Sequence, residues 1–231
     1  MKFSLIIPCY NESKSLPQLL ERCTPLTQKG NIEVILVDNG SKDETSTVLD
    51  TLLPQYPGCR SIRVEQNQGY GFGITSGLSA ATGDILGWTH ADLQTDPADI
   101  LQGIALFEQF GKNTLVKGKR YGRPLSDTVF TAGMSLFETI LFRRGFWDIN
   151  AQPNLFPRNF FESWVNIAPK DFSLDLFVYF MAQKKGLAIK RFPVKFGKRV
   201  FGTSHWNIDW KAKKKFIMRT IQFSLELKKQ V

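Results

Sequence analysis

The sequence predicts an α/β protein: a mostly parallel, Rossmann-like sheet flanked by helices, with a basic helix at its C-terminal end. Three observations carry that reading. Short apolar runs recur as FSLIIP (3–8), IEVILV (32–37), SIRVE (61–65) and DILGWT (84–89), each too apolar to leave one face in water. Helical patterns lie between and after them, near 13–23, 44–53, 71–81 and 97–109. Strands buried on both faces and joined through helices make right-handed β-α-β units.

Each strand runs into a polar segment. The first ends in Pro8-Cys9-Tyr10-Asn11-Glu12 and the second in Asp38-Asn39-Gly40-Ser41-Lys42-Asp43, where Ser13, Ser41 and Asp43 are candidate helix caps. The third ends in Gln66-Asn67-Gln68-Gly69-Tyr70-Gly71. Its glycines either let the backbone approach a ligand or relieve helix packing; they do not complete GxGxxG, and no GK[ST] follows. The fourth ends in His90-Ala91-Asp92-Leu93-Gln94, with polar side chains at alternate positions that share one side of an extended chain. Beyond lie a helix over 128–143, another over 172–185, a strand over 187–196 and a basic helical tail from about 208. Ligands of open parallel sheets bind at the carboxyl ends of the strands. Capping does not account for Asp38 directly after IEVILV, or for Asp92 just beyond Trp88-Thr89.

Composition narrows the function classes. A chain of 231 residues suits one large domain, or one domain with an appendage. Cys9, Cys23 and Cys59 are odd in number and lack CxxC spacing, against a disulfide framework or a zinc site. The opening MKFSLIIPCYNE lacks a signal-peptide core, and no apolar run reaches the roughly 20 residues that span a bilayer, so a cytoplasmic protein is expected. The net charge of +9 is local: residues 184–231 hold 14 Lys/Arg against Asp209 and Glu226, whereas residues 1–183 are slightly acidic. That acidity speaks against nucleic acid, and the basic end suits an anionic surface or a solvated helix face.

Four motifs in order, PxYNE (8–12), VDNGSKDET (37–45), NxGxG (67–71) and GDxxxxxxADLQ (83–94), resemble those of the family 2 inverting glycosyltransferases, which have the GT-A fold. The ADLQ string and a later FxxRxxGxSxW (196–206) resemble the branch containing dolichyl-phosphate mannose synthase and the polyprenyl-phosphate sugar transferases. The resemblance implies a metal-dependent transferase with a nucleotide-sugar donor, a UDP- or GDP-sugar. It implies that Pro8, Tyr10 and Glu12 line the nucleotide pocket, that Asp38 bonds the base, and that Asn67 and Gly69 border the nucleotide. Asp84 would hold the sheet together, Asp92 would bind Mg²⁺ or Mn²⁺ with Gln94 assisting, and Arg199 would close over the phosphates. Arg120 matches an arginine that contacts the acceptor phosphate, and Asp175 lies where relatives with sugar acceptors place a base; a plain N-terminal helix acid is the other reading of Asp175.

Two positions depart from the branch: His90 stands where Asp is usual, and His205 where Lys is common. Neutral imidazole can ligate Mn²⁺, can donate a hydrogen bond to the nucleotide, or can simply pack beside Trp88. The acceptor stays open between a lipid phosphate, which needs positive charge to place it, and a saccharide hydroxyl, which needs a base. Lys117, Lys119, Arg120 and Arg123, four cations within seven residues, tilt the reading to the lipid phosphate. The expected organisation is a catalytic domain over 1–206 and a basic helix over 207–231 packed on it. That helix would sit at an anionic membrane surface on the inner face, or on a membrane partner protein.

Overall fold

The computed structural model describes residues 1–201 and 210–229. Strand β1 (Phe3–Cys9) is followed by helix α1 (Leu16–Thr27), β2 (Ile32–Asn39), α2 (Thr45–Leu52), β3 (Cys59–Val64), α3 (Tyr70–Ala80) and β4 (Ile85–Trp88). Then come α4 (Ile100–Phe110), β5 (Thr114–Tyr121), α5 (Leu125–Phe142), β6 (Asn154–Pro157), α6 (Arg158–Glu162), α7 (Leu174–Lys184), β7 (Ala188–Lys195) and α8 (Trp210–Lys228). The seven strands form one sheet in the order β3-β2-β1-β4-β6-β5-β7. All neighbours are parallel except β6, which runs antiparallel to both β4 and β5.

The four apolar runs form the parallel half of the sheet, as their composition requires. β1 is fully buried except Pro8, so both faces must be covered. α1 presents Leu16, Leu19, Leu20, Cys23 and Leu26 to one face, spaced by three and four as a helix stripe demands. α3 covers the other face and comes unusually close. A Cβ on Gly77 would meet Ile6 Cγ2 at 2.5 Å and Val37 Cγ2 at 2.7 Å, so this glycine serves helix–sheet packing. Gly69, at φ +115°, has no room either: a Cβ there would meet the Lys170 carbonyl oxygen at 2.4 Å.

Three features differ from the sequence expectation. β3 is an edge strand and only half-buried, because the run SIRVE alternates Arg63 outward and has no neighbour on one side. β5 and β6 were not visible as strands; β6 has only four residues, and its direction is set by its neighbours rather than by any pattern of its own. The caps also fall differently, since Ser13 donates its backbone N–H to Asp43 instead of capping α1.

α8 lies against α5. Ser224 Oγ donates to Glu138 Oε1 at 2.7 Å, both residues are fully buried, and Glu138 Oε2 has no hydrogen-bond partner. Burial lifts the Glu138 carboxyl from 4.5 to about 7, while the Ser224 hydroxyl acts the other way. The folded protein therefore holds this proton in a range where the unfolded chain releases it. The group's contribution to stability is complete below pH 4.5 and is lost as the pH rises through about 7. Glu138→Gln keeps an acceptor for Ser224 without the charge. It is expected to be more stable than the parent at pH 8, by up to about 3 kcal/mol, with the difference vanishing near pH 4.5; urea melts at the two pH values measure it.

Candidate active site

The carboxyl ends of β1, β2, β3 and β4 open on one rim. Register places Cys9 opposite Asp38 and Ile6 opposite Trp88, so β4 stops earlier and its following segment, His90 to Gln94, turns across the rim. Leu93 sits in the left-handed region at φ +60°, uncommon for a branched residue, and Asp92 Oδ1 accepts the Gln94 N–H at 3.1 Å. This turn aims Asp92 into the cleft.

At the end of β2, Asp38 is buried. Its Oδ1 accepts the Ser41 N–H at 2.9 Å, while Oδ2 lacks a hydrogen bond and has only Arg63 Nε at 3.9 Å. A buried acceptor left open at a strand end suits a donor from a ligand. Tyr10 is exposed beside it, and Pro8 is half-buried. Asn11, at φ +57°, ties the first strand end to the second through Ser41 Oγ at 3.1 Å and the Lys42 N–H at 2.8 Å. Asn67 Oδ1 accepts the Gly69 N–H at 2.8 Å, and the Gly69 carbonyl accepts from Asn39. Asp84 lies at the opposite end of the sheet, where it accepts the Lys2 N–H at 3.1 Å.

A strap after β7 closes the cleft. The Gly197 N–H donates to the Gln94 carbonyl at 2.7 Å, and Gln94 Nε2 donates to the Gly197 carbonyl at 3.1 Å. This double bond carries Arg199 onto Asp92 Oδ2 at 2.9 Å, with Glu12 Oε1 at 3.9 Å from the same guanidinium. Burial lifts the Glu12 carboxyl above its ordinary range, with the Ser15 hydrogen bond and Arg199 opposing. The rest of the FxxRxxGxSxW string, including His205, lies outside the described residues.

Behind the cleft is a buried polar cluster that sequence reasoning saw only in fragments. Asp175, in the first turn of α7, is buried and accepts from Gln152 Nε2 at 2.6 Å. Asn154 donates to Gln152, and Lys117 Nζ donates to Asn154 Oδ1 and to the Ala151 carbonyl at 3.2 Å. Burial pushes the Asp175 carboxyl up, offset chiefly by Lys117, and burial pulls the Lys117 amine down to about 7. His90 is half-buried with its ring 5.8 Å from that of Tyr70. Gln152 comes from the loop entering β6 and Asn154 is the first residue of β6, the strand that the sequence concealed.

The four cations of residues 117–123 do not act as a group. Lys117 is buried, and only Lys119 is exposed. Arg120 donates from its backbone N–H and from Nε, both at 2.9 Å, to the buried Asp148, and Arg123 approaches the same carboxylate at 3.6 Å. Burial would raise the Asp148 carboxyl, but the two arginines hold it below its ordinary range. Arg120 also lines a cavity with Phe130, Met134, Phe172 and Phe216.

No group of three or more His, Cys, Asp and Glu side chains that could hold a metal ion occurs among the described residues. That rules out a closed protein cage there, but fits a hard cation that takes one carboxylate and completes its shell with phosphate oxygens and water. Asp92 is the carboxylate the turn presents there, and Gln94 has its Nε2 engaged by Gly197, which leaves its Oε1 as the side-chain acceptor.

A sheet of parallel strands broken by one antiparallel strand, with acids from β1, β2 and β4 gathered on one rim, defines the GT-A class of α/β protein. The chain belongs to glycosyl transferase family 2, whose family model matches residues 4–164. It is 40% identical over 114 residues to an undecaprenyl-phosphate 4-deoxy-4-formamido-L-arabinose transferase of Serratia proteamaculans, covering 47% of this chain and 34% of that one. The counterpart in Sodalis glossinidius is 39% identical over 103 residues, 43% and 31% of the two chains. The match thus spans about a third of the length of these relatives. Among solved structures, glucosyl-3-phosphoglycerate synthase of Mycobacterium tuberculosis, in complex with Mn²⁺, UDP and phosphoglyceric acid, superposes with a TM-score of 0.73 at 18% identity, covering 98% of this chain and 78% of that one. The mannosyltransferase PcManGT of Pyrobaculum calidifontis, in complex with GDP-Man and Mn²⁺, gives 0.71 at 18% identity, covering 97% and 64%. These likenesses establish the GT-A fold.

Proposed function

We propose that this chain transfers a sugar from a UDP- or GDP-sugar to a polyprenyl phosphate, with inversion, at the inner face of a membrane. The observation that carries the acceptor is burial: Asp148 and Asp175, the acids on that side, are both enclosed and hydrogen-bonded, whereas Arg120 lines the adjoining cavity. An anionic phosphate needs no general base, only a cation to place it. The named undecaprenyl-phosphate relatives support the same acceptor class.

The remaining residues divide the work. Asp38 Oδ2 accepts from the nucleobase, and Pro8, Tyr10, Asn67 and Gly69 shape the pocket around it. Arg199 moves its charge from Asp92 to the diphosphate when the donor enters. A Mg²⁺ or Mn²⁺ ion on Asp92, with Gln94 beside it, would stabilise the charge that grows on the departing diphosphate; the Mn²⁺ complexes of the fold neighbours favour that choice. His90 lies with its ring beside that of Tyr70, whose hydroxyl accepts from Gln152 at 3.4 Å, and so links the cleft to the buried cluster.

Thermal stabilisation by UDP and by GDP, with and without Mn²⁺, tests the donor. One nucleotide should stabilise the protein, and more strongly with the metal. Asp38→Asn replaces an acceptor with a donor at Oδ2 and should weaken that nucleotide about tenfold, near 1.4 kcal/mol. Transfer of labelled sugar to a saccharide but not to polyprenyl phosphate would move the reading to polysaccharide assembly.

A further inference from the structure

α5 is amphipathic in the wrong sense for a helix of a self-sufficient globule. Its buried positions include the polar Ser135 and Glu138, whereas Leu125, Val129, Leu136 and Ile140 are 78%, 62%, 61% and 69% exposed. At 100° per residue these four side chains fall within an arc of about 60° and run roughly 22 Å along the helix. Single exposed apolar residues need no explanation, but a continuous stripe does. No exposed position of α5 carries an acid: Asp127 is half-buried and Glu138 is enclosed.

The surroundings are equally one-sided. The stripe ends at exposed Arg143 and Arg144. Arg144 donates to the Gln183 carbonyl at 3.0 Å, which brings the exposed Lys185 beside it. Tyr121, 53% exposed, precedes the helix, and Trp147, 41% exposed, follows it. Apolar side chains on one face, cations at the end and amphipathic aromatics before and after are the pattern of a helix lying in a lipid interface.

We infer that α5, rather than the basic tail alone, docks the catalytic domain onto an anionic bilayer, with Leu125, Val129, Leu136 and Ile140 entering the headgroup–acyl boundary. A second copy of the chain fits less well. A single-helix stripe offers a few hundred Å², short of the roughly 800 Å² per partner of a stable interface. A bilayer sets no such minimum, because apolar insertion and cation attraction add residue by residue. This extends the membrane location proposed above, yet stands on surface features independent of donor and acceptor. It also gives α5 a function: the helix begins five residues after Arg120, so docking it holds the acceptor side at the lipid surface.

Co-sedimentation with phosphatidylcholine vesicles, with and without phosphatidylglycerol, tests the inference. The parent should bind the anionic vesicles better, and the preference should fade as salt rises. The double variant Leu136→Glu/Ile140→Glu should lower that binding about tenfold or more, with an unchanged melting curve and unchanged elution volume. Vesicle binding equal to the parent's would overturn the inference. So would a parent that elutes as a dimer and a variant that elutes as a monomer, which would assign the stripe to a second copy. Turnover on a short-chain, water-soluble polyprenyl phosphate should be the same in both proteins; its absence from both would sink the transferase reading and leave the vesicle result standing.

Discussion

Replacing Asp92 by Asn should lower kcat/KM for sugar transfer by about 10²- to 10³-fold, or roughly 3–4 kcal/mol of transition-state stabilisation. The geometry says why the loss should be chemical and not structural. Asn keeps Oδ1, so the hydrogen bond from the Gln94 N–H that shapes the turn survives. What disappears is the negative charge on Oδ2, which now holds Arg199 at 2.9 Å. That pair is partly open to solvent, with side-chain exposures of 26% and 11%, so its loss should cost little stability. Isothermal titration should show the nucleotide binding without its Mn²⁺ enhancement, while the melting temperature stays within a few degrees of the parent's. A variant that turns over at the parental rate and still dies in EDTA would place the metal elsewhere.

The rim that holds Asp92 was legible because parallel strands buried on both faces announce themselves as unbroken apolar runs, and because their ends gather on one side of the sheet. Asp38, Asp92 and the glycine loop before α3 could therefore be found from local pattern alone. Contacts that depend on distant chain could not. Arg199 reaches Asp92 across 107 residues, and nothing near either residue encodes the strap that joins Gly197 to Gln94. The four-residue β6 is too short for a periodic signal, so Gln152 and Asn154, which connect Lys117 to Asp175, went unseen. Lys117 shows the converse error. A lysine amid other cations reads as surface charge, but β5 is covered on both faces from Thr114 to Gly118, which encloses Lys117, while Lys119, on the same face two residues on, lies at the exposed end of the strand.

That enclosure also recasts the two acceptor candidates, Arg120 and Asp175. Asp175 is enclosed, with Gln152 on Oδ1 and a carboxyl raised by burial. An acid that no acceptor hydroxyl can reach is poorly placed as a base, whatever its proton affinity. Arg120 spends Nε and Nη2 on Asp148, which fixes the plane of the guanidinium at the cavity wall, and in the proposed reaction Nη1 would meet the acceptor phosphate. Lysine has no such fork: Arg120→Lys can keep either the Asp148 contact or the acceptor contact, but not both. It should therefore cut transfer to polyprenyl phosphate by about 10²-fold while nucleotide affinity holds. Asp175→Asn preserves an acceptor for Gln152 and should cost less than about tenfold in rate. Its cost should appear instead in stability, because the buried Lys117 loses its compensating charge. The informative experiment assays both variants with one donor and with lipid-phosphate and saccharide acceptors in parallel. If Asp175→Asn is crippled on a saccharide while Arg120→Lys is healthy, the buried carboxylate becomes exposed during turnover and the acceptor is a hydroxyl. If the order is the reverse, the cation at the cavity wall selects the acceptor, and the enclosed Lys117–Asp175 cluster is the rigid wall against which it is held.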